Sequence, residues 1–91
     1  MIYIIWEWDT PHTDEPILTY AELDDARREQ RTVSIYRDGR KGFAGAAILV
    51  GDRPLSPEPF PQLETLNAHP DVTAREISAQ EFEVAWSARH Q

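Results

Sequence analysis

Ile2-Tyr3-Ile4-Ile5-Trp6-Glu7-Trp8 alternates with a period of two. Ile2, Ile4, Trp6 and Trp8 fall on one side, and Tyr3, Ile5 and Glu7 on the other. This is the pattern of a strand lying in a sheet. The run lacks a basic leader, meets Glu7 at once and is too short for a signal core or a membrane span. It reads as the first strand of a cytoplasmic protein.

Working outward, residues 9–16 are polar and hold two prolines, so they form a loop. Residues 17–23 suit a second strand, with Leu18, Tyr20 and Glu22 alternating against Ile17, Thr19, Ala21 and Leu23. A helix over Tyr20–Gln30 is the competing reading, because Ala, Glu, Leu and Arg are good helix formers. Asp24-Asp25 turns the chain. Residues 30–37 form a third strand, with Val33 and Ile35 on one side and Thr32, Ser34 and Tyr36 on a wetter one. Asp38-Gly39 then signals a hairpin of type I′. Residues 42–50 return as a fourth strand, whose glycines and alanines leave space for a helix to pack closely.

Residues 51–61 carry four prolines and read as an extended crossover. Pro61 suits the first turn of a short helix through Gln62–Ala68, ended by Asn67, His69 and Pro70. Ser78-Ala79-Gln80-Glu81 is a capping box, and Ile77 with Phe82 is placed as its hydrophobic staple. Phe82, Ala85 and Trp86 make the apolar stripe of a last helix reaching about Ala88. Arg89 and His90 sit in or just beyond its final turn, where positive charge suits the dipole. The expectation is one α+β domain over residues 1–91, with a four-stranded antiparallel sheet and one or two C-terminal helices packed on one face. Trp6 and Trp8 are expected under Trp86 and Phe82, leaving Tyr3, Tyr20 and Tyr36 nearer the open face.

A set of segments in fixed order resembles a known family. They are Asp14-Glu15-Pro16, Tyr20-Ala21-Glu22-Leu23-Asp24, Val33 to Arg40, Leu63 to Asn67, and Glu76 to Trp86. The family is one of small, uncharacterised bacterial proteins classed only as a domain of unknown function. The resemblance covers nearly the whole chain and implies a bacterial origin and a free-standing domain. It supplies no catalytic residues. The stretch Ala44–Leu55 is more apolar than the charged turn that this family leads one to expect.

Charge is the main functional signal. The 91 residues carry a net charge of −7, with 27% charged and 41% apolar residues. Residues 1–25 hold Glu7, Asp9, Asp14, Glu15, Glu22, Asp24 and Asp25 and neither Lys nor Arg, while residues 26–45 are net basic. This balance argues against non-specific nucleic-acid binding, which needs phosphate neutralisation, and suits a basic protein partner. With no cysteine, thiolate nucleophiles and thiolate metal sites are excluded.

Asp9, His12, Asp14 and Glu15 could supply a metal or acid–base site, but their spacing matches no calcium loop, and zinc would need further ligands. No Gly-x-Ser-x-Gly elbow and no phosphate loop is present. Catalytic residues, metal ligands and cofactors are therefore assigned to none. The leading expectation is a protein-interaction module, inhibitor- or immunity-like, whose acidic residues with Tyr20 and Tyr36 meet a basic partner. The alternatives are a small metal- or metabolite-binding enzyme using the His12 loop, and a structural homodimer.

Overall fold

The computed structural model describes residues 1–12, 14–51 and 53–88. Four strands follow one another as a meander: β1 (Ile2–Trp8), β2 (Leu18–Leu23), β3 (Glu29–Ile35) and β4 (Lys41–Ala44). A two-residue strand, β5 (Leu49–Val50), extends the β4 side. After α1 (Leu63–Asn67), β6 (Val72–Glu76) returns to the other side of β1, and α2 (Ala79–Ser87) ends the described chain. The order across the sheet is β5-β4-β3-β2-β1-β6, antiparallel throughout.

The α+β class and the antiparallel sheet agree with expectation, but the sheet has six strands among the described residues where four were expected. Residues 42–50 do not form one strand. The chain turns between Gly45 and Ile48, whose backbone groups bond at 2.9 Å, and Leu49 and Val50 pair back onto Ala44 and Phe43. The sixth strand lies in the segment after α1. The helix considered over Tyr20–Gln30 does not form. The hairpin after β3 is not type I′, because only Gly39 has positive φ, at 90°. Gly39 N–H bonds to Tyr36 O and Tyr36 N–H to Arg40 O, a three-residue loop with glycine in the left-handed position.

Register sorts the side chains into two layers. Tyr3, Glu22 and Arg31 stand side by side, as do Ile5, Tyr20, Val33 and Phe43. Helix α2 covers this face. Its Phe82 is fully buried and Trp86 nearly so, packed with Ile5, Val33, Phe43 and Ile77. Burying one such side chain stabilises by roughly 1.5–3 kcal/mol. Ser78 Oγ accepts the Glu81 N–H at 3.1 Å, the first half of the capping box, and Ile77 and Phe82 meet in this core. A Cβ on Gly45 would stand 3.3 Å from Trp86 Cη2, so the helix does pack closely there. The expected positions of Arg89 and His90 lie outside the described residues.

The opposite face carries Ile4, Ala21 and Leu23, with Ile2, Phe60 and Leu63 against them. The helices therefore do not share a face: α2 lies on one side, and α1 with the crossover lies on the other. The crossover is clamped by hydrogen bonds to the sheet side. Phe60 N–H donates to Arg27 O at 2.7 Å, and the Arg27 guanidinium returns to Phe60 O at 3.0 Å and Pro61 O at 2.7 Å.

Candidate functional site

The acidic residues do not form one surface. Glu22 is buried on the helix-covered face, where its carboxylate takes two hydrogen bonds from Arg31 at 2.8 and 2.7 Å. Those bonds hold its carboxyl below the ordinary value, against the opposing effect of burial. Asp24 caps its own turn, accepting the N–H groups of Ala26 and Arg28 at 2.9 Å each. Asp25 is exposed at the same end of β2. Glu15 is paired with Arg53. Asp14 borders an open cavity shared with Tyr36, Arg40 and Lys41.

Glu7 and Asp9, by contrast, lie together at the end of β1. Both are exposed and form no ion pair among the described residues. Asp9 N–H donates to Asp71 O at 2.9 Å, which brings the exposed Asp71 alongside. Glu7 and Asp9 flank an open groove of about 450 Å3 with Trp8, Ile17, Leu18 and Arg37. The Arg37 guanidinium is held by the carbonyl of Thr10.

The aromatics are placed differently from expectation. Trp6 and Trp8 do not lie under Phe82 and Trp86 but on the other face of the sheet, stacked at 6.4 Å and 18°. The phenylalanine of the crossover, Phe60, meets Trp6 edge-on. Tyr3 and Tyr20 are half-buried against the α2 core, and Tyr36 is buried with Arg40 above its ring. Sequence periodicity separated the two sets of side chains but could not say which set the last helix would cover.

Between Trp6, Trp8 and the crossover lies a cleft of about 180 Å3. Its floor is Thr19, Thr32 and Ser34 on adjacent strands, each more than nine-tenths buried. None of these three hydroxyls makes a hydrogen bond among the described residues. The Trp6 indole N–H is also buried without a partner there. Glu29 forms part of the wall and accepts the Ser56 N–H at 2.7 Å. Burial raises its carboxyl above the ordinary value, only partly offset by that bond.

Thr32 and Ser34 lie on the side expected to be wetter, but the crossover buries them. Glu29 carries no local sequence signal, since its position depends on a register shift opposite Glu22 and Leu23. In the loop weighed as a metal or acid–base candidate, His12 is exposed and its N–H donates to Thr10 Oγ1 at 3.1 Å; Thr13 lies outside the described residues. Among the described residues no three His, Asp or Glu side chains are disposed to hold a metal ion.

Fold and site together define a small α+β domain with one sheet face closed by a helix and the other forming a cleft under a proline-rich crossover. The chain belongs to a family described as a domain of unknown function (DUF6881), whose model matches residues 2–91. No curated protein and no solved structure gives a significant match.

Proposed function

We propose that this protein is an interaction module that holds a basic protein partner at the acidic end of β1, in an inhibitor- or immunity-like role in the bacterial cytoplasm. The observation that supports this most is the grouping of Glu7, Asp9 and Asp71. They are exposed, unpaired among the described residues and set beside the half-buried Trp8, Ile17 and Leu18. Arg37 also lines this groove, with its guanidinium held at the Thr10 carbonyl, and the acids along the apolar strip combine contact area with selection for a partner of opposite sign. A net charge of −7 adds long-range attraction. The other acids of the N-terminal third are less suited, because Glu15 and Glu22 are already paired and Asp24 holds a turn.

The test is capture from a cell lysate by the wild type and by Glu7→Lys/Asp9→Lys in parallel, with washes of rising salt. The expected result is a basic protein that the wild type retains to intermediate salt and the variant loses. The same proteins retained by both would overturn the assignment.

A homodimer is the second reading, favoured by the β5 edge, where Leu49 and Val50 are 53% and 45% exposed.

A further inference from the structure

The cleft on the second face shares Trp8 with the acidic groove, but Glu7, Asp9 and Asp14 are not among its walls. Its chemistry is unusual for a region that serves only as core. A buried polar group without a hydrogen bond costs about 1–3 kcal/mol, native interiors leave few of them, and the Trp6 indole N–H is such a group among the described residues. Beside it, Thr19, Thr32 and Ser34 line the cleft with hydroxyls that make no hydrogen bond among the described residues. Three hydroxyls on one small cavity walled by Trp6, Trp8 and Phe60 are the arrangement of a binding site: apolar walls with a few placed polar atoms.

Size limits the occupant. About 180 Å3 is close to the roughly 150 Å3 cavity that holds a benzene ring, and well below the pockets of drug-sized molecules, which start at roughly 300 Å3. The indole faces of Trp6 and Trp8 and the ring of Phe60 suit a flat or ring-bearing molecule.

Charge limits it further. The Glu29 carboxylate is half-buried and has no cation beside it among the described residues; it has one backbone N–H. Hydroxyl oxygens accept as well as donate, and indole faces attract cations through their negative quadrupole. The positive charge at the mouth, Arg53, is already bound to Glu15.

We infer that the cleft binds a small, ring-bearing organic cation, with the ring on Trp6 and Trp8 and the cationic N–H groups received by Glu29 and the hydroxyl floor. Burial holds the Glu29 carboxyl above its ordinary value; a bound cation would relieve that cost.

Three probes with the same ring and different charge test this: benzylammonium, benzyl alcohol and benzoate. Each is titrated into the wild type, Glu29→Gln and Ser34→Ala, following tryptophan emission and the melting midpoint. Glu29→Gln keeps the shape and an acceptor for Ser56, and Ser34→Ala removes one hydroxyl with little change in packing, so both are expected to fold. The expected result is benzylammonium binding at least tenfold tighter than benzyl alcohol, with benzoate not binding. Glu29→Gln should bring benzylammonium down to the level of benzyl alcohol, and Ser34→Ala should weaken it several-fold. Failure of benzylammonium to bind at millimolar concentration would overturn the inference. Equal binding of the three probes, or unchanged affinity in folded Glu29→Gln, would do so as well.

Discussion

Arg31 does several jobs with one side chain. It pairs with Glu22 across β2 and β3, reaches Glu83 on α2, and lies 4.9 and 5.1 Å above the rings of Phe82 and Trp86. Truncating it leaves Glu22 buried without a counter-charge. Arg31 itself is part-exposed, so Arg31→Ala is expected to lose about 1.5–3 kcal/mol in urea unfolding. Glu22 also sets a pH dependence. Its folded-state pKa is lowered from 4.5, chiefly by the Arg31 hydrogen bonds. Its contribution is thus full above about pH 4.5 and is lost as the pH falls through the lower folded value. The stability gap between wild type and Glu22→Gln should narrow below pH 4.5; a gap constant with pH would contradict the pairing. Glu22 shows what the sequence could not say. Its acidity was legible, but its burial depends on Arg31 standing opposite, which follows only from the register of two strands.

At the scale of elements, the last helix was the most legible. Ser78, Glu81, Ile77 and Phe82 lie within six residues, so the signal is local. Replacing Ser78 with Ala removes the acceptor for Glu81 N–H and is expected to cost about 1 kcal/mol in thermal or urea unfolding. β1 and β2 were legible from their partial alternation and high apolar content, which suit strands inside the sheet. β6 was not. Val72-Thr73-Ala74-Arg75-Glu76 is short and charged, as edge strands often are, and its small apolar residues show no clear period. The split of residues 42–50 into β4 and β5 was hidden for a different reason: Ala46 and Ala47 make the turn without Asn, Asp or Pro to mark it. The cleft was hidden too, because the crossover reaches back to residues more than twenty positions earlier through Arg53–Glu15, Ser56–Glu29 and Phe60–Arg27.

At the scale of the whole molecule, the two sheet edges differ. At β6, the side chain of Asn67 bonds both backbone groups of Ala74, at 2.9 and 2.7 Å, and so occupies part of that edge. At β5, Leu49 and Val50 are exposed, which leaves this edge the better surface for a second copy. If the chain dimerises there, light scattering should show a concentration-dependent mass that Leu49→Lys returns to the monomer value; a mass unchanged by the substitution would remove β5 from the interface. The two faces differ as well, since α2 fills one and the other keeps a polar floor. The three tryptophans divide between them, Trp86 in the helix-covered core and Trp6 and Trp8 at the cleft. The most direct test of a cation-selective second face is to follow the three indole N–H resonances by NMR during a benzylammonium titration. Trp6 and Trp8 should shift in a saturable way while Trp86 stays in place. No saturable shift, or equal movement of all three, would contradict it.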